Sequence, residues 1–170
     1  MHDDSSFEEF VAARGAALLR TARLLCRVPE DAEDVCQAAL ERAYRNWKRV
    51  YAGRDPEPYV RRILVNLVIS RARRAKLLTF VPLLSVAEPV APPATDGHQS
   101  GVELRGELIR GLRALPPRQR AVLVLRYWED LPEAQVAEVL GCAVGTVKAH
   151  ASRGLARLRQ LVDADLARRG

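Results

Sequence analysis

The side chains best suited to chemistry in this chain lie in two runs that contain no acid. Between Cys142 and Gln160 the cations are Lys148, Arg153, Arg157 and Arg159, interleaved with Thr146, His150 and Ser152. Between Arg61 and Lys76 stand 6 more cations, in company with Asn66 and Ser70. Guanidinium, ammonium, hydroxyl and amide groups in such mixtures bind phosphate oxygens and base edges. A carboxylate among them would repel a polyanion at short range, which accounts for its exclusion. A third run is the reverse: Glu30, Asp31, Glu33 and Asp34 follow Pro29. These acids suit the positive end of a helix dipole, a basic protein partner, or both.

Other chemistry has no comparable support. His2, His98 and His150 fall in a terminus, a linker and a basic helix, with no Cys or Asp at a spacing that would build a nucleophile or a metal centre. Cys26, Cys36 and Cys142 form no CxxC pair, and an odd count points to reduced thiols rather than a disulfide framework. No catalytic residue, metal ligand or cofactor is assigned. The start, MHDDSSFEEF, is acidic and unlike a secretory signal, and no window approaches ~18 uninterrupted apolar residues. A cytoplasmic protein without a membrane segment is expected.

The elements that must position these residues are helical. The composition is 48% hydrophobic with only 5% aromatic, as in soluble helical proteins. Charge is uneven: the net +6 hides a slightly acidic first third, with 9 Lys and Arg against 11 Asp and Glu in residues 1–60. Phe7, Phe10, Val11, Leu18, Ala22 and Leu25 recur at helical spacing and predict a helix over 7–27, leaving Arg14, Arg20 and Arg23 to solvent. A second helix opens after Pro29 and runs to about Trp47, with Val35, Ala39, Ala43 and Trp47 on its apolar side, flanked by Cys36, Leu40 and Tyr44. Residues 51–54 read as a loop, and Asp55-Pro56 resembles the start of a third helix ending near Leu77. On it Val60, Ile63, Leu64, Leu67 and Val68 share one side, whereas Arg62, Asn66, Ser70 and Arg73 gather on the other. Trp47 and Tyr59 fall in apolar register, which favours core packing over base stacking.

Residues 79–102 change character, with prolines at 82, 89, 92 and 93, and read as a linker. Beyond it the pattern predicts a helix over 102–115, a second opened by Pro117 with Val122, Leu125 and Tyr127 as apolar contacts, and then a paired motif. Val136, Ala137, Val139 and Leu140 line one short helix, Gly141 permits a sharp bend, and Val147, Ala151, Leu155 and Leu158 line the next. That is the pattern of a DNA-binding helix-turn-helix, whose second helix enters the major groove. An ordinary helical hairpin with solvated arginines is the plainer alternative. The expected fold is all-α: two small helical domains, 5–78 and 103–168, joined by a Pro-rich linker, the second containing the helix-turn-helix.

The stretch LRALPPRQRAVLVLRYWEDLPEAQVAEVLGCAVGTVKAHASRGLARLR resembles the carboxy-terminal promoter-reading domain of extracytoplasmic-function (group IV, sigma-70 superfamily) sigma factors of RNA polymerase. PEDAEDVCQAALERAYRNW is similar to the core-polymerase-binding helix of that family, and DPEPYVRRILVNLVISRARR to its helix for the −10 promoter element. Both domains appear in the family's order, and the last residues resemble its short actinobacterial, SigE-like subgroup. Members join the RNA polymerase core through its β′ and β subunits, melt promoter DNA and have no catalytic activity of their own. Carried over, the resemblance implies core docking by Asp31, Asp34, Val35 and Gln37. It implies −10 contacts by the loop around Val50 and Tyr51 and by Arg62, Asn66, Ser70 and Arg73, where an amide such as Asn66 would hydrogen-bond an exposed base edge. It assigns the −35 element to Thr146, Lys148, Ala149, His150, Ser152 and Arg153, with Arg153 suited to a guanine and Lys148 or Thr146 to phosphate. Arg118 and Arg120 are candidates for backbone contacts, with surface solvation the alternative. An anti-sigma partner that clamps the two domains is a further implication.

The chain departs from the family pattern at four places. Ala143 stands where a capping Ser or a Pro is frequent, Pro132 and Gln135 replace a Ser and Glu that would form a capping box, and His150 occupies a position where Arg or Lys is common. The histidine implies DNA binding that weakens as pH rises. Two other readings compete. TVKAH also resembles the DNA-binding domain of LuxR-type response regulators, which would act without joining polymerase but need a sensor domain that 5–78 does not resemble. A nuclease would need clustered carboxylates, and those at 30–34 are better explained by a helix start.

Overall fold

The computed structural model describes residues 2–52, 54–79 and 100–168, and among them the regular structure is entirely helical. Most of the predicted linker therefore lies outside the described residues. Its last predicted positions do not: a helix already begins at Ser100.

The first module contains α1 (His2–Leu25), α2 (Asp31–Arg45), α3 (Trp47–Tyr51) and α4 (Glu57–Leu78). Helix α1 starts five residues before the predicted position because its first turns are tied down from outside. The Tyr44 hydroxyl donates to Asp4 at 2.6 Å and the Trp47 indole N–H donates to Ser6 at 2.8 Å. Acids at this end also oppose the helix dipole favourably. Asn46, at φ −116° and ψ 15°, breaks the long second helix that periodicity predicts and starts α3. Trp47 at that break is buried, as its register predicts, with the Phe7 and Phe10 rings at 5.0 and 5.3 Å and Tyr51 stacked on it at 5.6 Å. Asp55 accepts the Glu57 backbone N–H at 3.0 Å, which begins α4 one residue later than predicted.

The second module contains α5 (Ser100–Ala114), α6 (Pro117–Leu123) running into a π-helical turn (Val124–Trp128), then α7 (Glu133–Leu140) and α8 (Val144–Ala167). The π turn, closed by Glu129 N–H to Val124 O at 3.0 Å, corrects one expectation. Val122 and Leu125 are buried as predicted, but the extra residue per turn swings Tyr127 outward to 61% exposure. In α8 the helix face is rotated slightly from the predicted one. Val147 is buried and Ala151 and Leu158 are half-buried, but Leu155 is exposed, and Gly154 lies against Leu123 and Gln119 of α6. A Cβ on Gly154 would sit 3.3 Å from Leu123, so only glycine permits that spacing without repacking.

The two modules pack against each other. Helix α4 meets α6 and α7, and α1 meets α5, α6 and the π turn. This requires a second apolar face on α4: besides Val60, Leu64, Leu67 and Val68, the structure buries Val65 and Ile69. At the seam Glu129, just past the π turn, accepts from the buried Thr21 hydroxyl of α1 and pairs with Arg61 of α4 at 3.1 Å. Arg61 also binds Glu57 at 2.7 Å, and Glu57 in turn pairs with Arg14. Arg14 is thus exposed, as expected, yet engaged.

Candidate nucleic-acid interface

Helix α7 ends on Gly141 in the left-handed conformation, φ 63° and ψ 41°, with its N–H returned to the Glu138 carbonyl. A side chain there would be strained, so glycine sets the bend that aims α8. The four apolar residues predicted to line α7, namely Val136, Ala137, Val139 and Leu140, are all buried. Ala143 supplies no side-chain cap to α8, nor does Pro132 to α7, in line with the departures noted in the sequence. The backbone compensates in part, with Thr146 and Val147 N–H bonding the Ala143 carbonyl.

With Val147 facing inward, Thr146, Lys148, Ser152 and Arg153 are exposed on the outer side of α8, and Ala149 and His150 are half-buried beside them. Lys148 has one weak partner, Glu133 at 3.8 Å. Five of the six residues therefore carry side chains that can donate to phosphate and base edges, and Ala149 adds only a methyl group. His150 differs from its neighbours. Partial burial, then the charges of Arg118 and Arg153, hold its pKa below the ordinary 6.5. It is neutral at pH 7, so the weakening of binding with rising pH expected from the sequence belongs below that range. Arg120 corrects another expectation: only 3% exposed, it turns inward and bonds the Arg113 and Leu115 carbonyls at the end of α5. Arg120 has no access to a DNA backbone.

On α4, Arg62, Asn66 and Arg73 are exposed along one side, and Ser70 is half-buried with its hydroxyl turned to the Leu67 carbonyl. Val50 and Tyr51 are not in a loop. They end the short helix α3, where stacking on Trp47 fixes the Tyr51 ring while leaving it 43% exposed. On α2, Asp31, Asp34 and Gln37 are exposed, but Val35 is 1% exposed and belongs to the core. Its spacing from Ala32 and Ala39 puts it on the inner face, so only the three polar residues of the expected docking set are on the surface. Asp34 is paired with Arg71 at 2.6 Å.

Residues at the seam escaped the sequence reading. Thr21, Arg61 and Glu129 are polar positions within amphipathic helices or beside a turn, and periodicity alone treats them as surface. The available signal was Arg61 in register with Val65 and Val68, a stripe wider than one module needs.

Residues 10–77 match the family described as Sigma-70 region 2, and residues 105–158 that described as Sigma-70, region 4. The match to region 2 removes the LuxR-type alternative, which has no place for it. The chain is 41% identical over 161 residues to RNA polymerase sigma-E factor of Streptomyces coelicolor, covering 94% of this chain and 88% of that protein. It is 35% identical over 160 residues to ECF RNA polymerase sigma factor SigM of Mycobacterium tuberculosis, covering 94% and 79%. The fold is similar to that of the sigma factor RpoE in its co-crystal structure with the anti-sigma factor NepR from Bartonella quintana, with TM-score 0.72, 24% identity, and coverage of 94% of this chain and 98% of that one. CnrH, in complex with the cytosolic domain of CnrY, gives TM-score 0.63 at 24% identity over 95% and 90%. With regions 2 and 4 in order and relatives of such similarity over 94% of this chain, the chain belongs to the extracytoplasmic-function sigma factors, which direct transcription initiation by RNA polymerase.

Proposed function

We propose that three segments divide the work of this sigma factor: residues 5–78 join the polymerase core and engage the −10 element, 103–168 read the −35 element, and 79–102 connect them. Core docking falls to the acidic face of α2, with Asp31, Asp34 and Gln37 meeting basic groups of the β′ and β subunits. Tyr51 and Val50 at the end of α3 lie in chain order ahead of Arg62, Asn66, Ser70 and Arg73, and together they hold the −10 strand as it opens. Arginines grip its backbone while Asn66 bonds an unstacked base. In the second module Arg153 takes a guanine edge, Thr146, Lys148 and Ser152 hold phosphate, and Ala149 and His150 pack against the bases.

The observation that carries the −35 assignment is the exposed side of α8 from Val144 to Gln160, which has no carboxylate of its own, behind the left-handed Gly141 turn. The protein acts in the cytoplasm, without catalysis of its own, and its relatives' anti-sigma complexes support a similar partner here. Run-off transcription with core polymerase across a genomic promoter library tests the assignment. Initiation at a defined set of start sites only when the chain is present is the expected result, and the same transcripts with and without it would refute the reading.

A further inference from the structure

The cavity between the two modules gathers cations from both, of which Arg71 is paired with Asp34 and Arg120 bonds the Arg113 and Leu115 carbonyls. It is an open cleft of about 630 Å³, within the ~300–1,000 Å³ of small-molecule sites. Arg27, Arg71 and Lys76 enter from the first module and Arg113, Arg120 and Arg157 from the second; the one lining carboxylate among the described residues is Asp31. Asp34 pairs with Arg71 from outside the wall. Arg120 is 3% exposed, and its Nε, like that of Arg113, has no hydrogen-bond partner among the described residues. The rest of the lining includes Val28, Val68, Ala72 and Pro116, an apolar floor beside the cations.

These like charges line one open cleft and repel each other, most strongly at the buried Arg120. Burial above all, and then the charges of Arg27 and Arg113 working against Cys26, pulls the Arg120 guanidinium down to about 10. A group that neutralises both walls must be anionic at several points, small enough for the space, and partly apolar. We propose that this cavity binds a nucleoside polyphosphate, its phosphates bridging the arginines of the two modules and its base lying on the apolar floor. Phosphate suits guanidinium donors through paired, charge-assisted hydrogen bonds. Because its contacts come from both modules, the ligand binds the packed arrangement and not the separated one, and so shifts the population toward packing. This inference stands apart from the promoter assignments above.

Calorimetric titration of the full chain with ATP, inorganic tripolyphosphate and adenosine, all at one fixed ionic strength, tests it. ATP should saturate one site per chain, tripolyphosphate should bind more weakly, and adenosine should give no saturable heat. The Arg27→Gln/Arg157→Gln variant changes two exposed side chains outside the promoter-contact sets and should melt like the parent, yet bind ATP at least about tenfold more weakly. In a chain carrying dyes on the two modules, ATP should also raise energy transfer in the parent but not in that variant. No saturable binding up to millimolar ATP, or an unchanged Kd in the double variant, would overturn the site. Equal affinity for ATP and tripolyphosphate would overturn its nucleoside part.

Discussion

Replacing Glu129 by alanine should separate the two modules without unfolding either. Its carboxylate accepts from Thr21, whose side chain is 1% exposed, and pairs with Arg61 at 3.1 Å. Both partners lie in the first module and Glu129 in the second, so the substitution removes interactions that cross the seam and leaves each module's own packing in place. A buried hydroxyl stranded without a partner costs about 1–3 kcal/mol. Arg61 retains Glu57 at 2.7 Å, so its share is that of a partly screened pair, ~1 kcal/mol. The sum, ~2–4 kcal/mol, shifts the packed-to-open ratio by roughly 30- to 700-fold. A dye on the native Cys142 and another on Gln37→Cys, an exposed position of α2, would report the change as a drop in energy transfer, the other two thiols being buried. A double-mutant cycle with Thr21→Val isolates the hydrogen bond, and a coupling of at least ~0.5 kcal/mol is expected. Unaltered energy transfer together with a coupling near zero would refute the view that Glu129 fastens the modules.

Four shorter predictions follow from other parts of the molecule. Arg153→Ala should weaken binding at the −35 element by ~1–3 kcal/mol and relax base preference at one position, read from transcription on promoter variants; unchanged transcription from a cognate promoter would count against the assignment. Trp47→Ala removes a ring buried between Phe7, Phe10 and Tyr51 and should cost ~3–5 kcal/mol in urea unfolding. His150 has its pKa depressed below 6.5, so affinity for duplex DNA should be level above about pH 7 and rise as pH falls and the ring gains charge. Folding should respond with the opposite sign: the unfolded chain takes up that proton first, so the His150 contribution to stability is lost as pH falls below 6.5, and His150→Gln should flatten that limb. Burial raises the Cys26 thiol from 9.0 to about 11, so the unfolded chain ionises first and stability should decline between those pH values, less steeply in Cys26→Ala.

Most of what was legible in the sequence is local. Helical periodicity placed Leu18, Ala22, Val60, Leu64 and Val136 inside because burying one stripe of an amphipathic helix is decided by neighbours three and four residues away. Gly141 announced its turn because few other residues tolerate a positive φ, and the basic first part of α8 was visible because no Asp or Glu falls between Val144 and Gln160. The sequence therefore determined the helical class, the helix-turn-helix and the identity of the polar groups on its outer side. The misreadings share another cause. By sequence Val35 falls among the docking acids, Tyr127 among core residues and Arg120 among phosphate contacts, yet each outcome depends on what a distant element brings to that spot. A π turn rotates Tyr127 away, and the end of α5 takes up Arg120. Only the tertiary structure decided that α4 has two buried faces, that Thr21, Arg61 and Glu129 meet, and that six cations converge on one cavity. Such pairings join residues about a hundred positions apart, and no local periodicity encodes which of two polar side chains will find the other once both leave water.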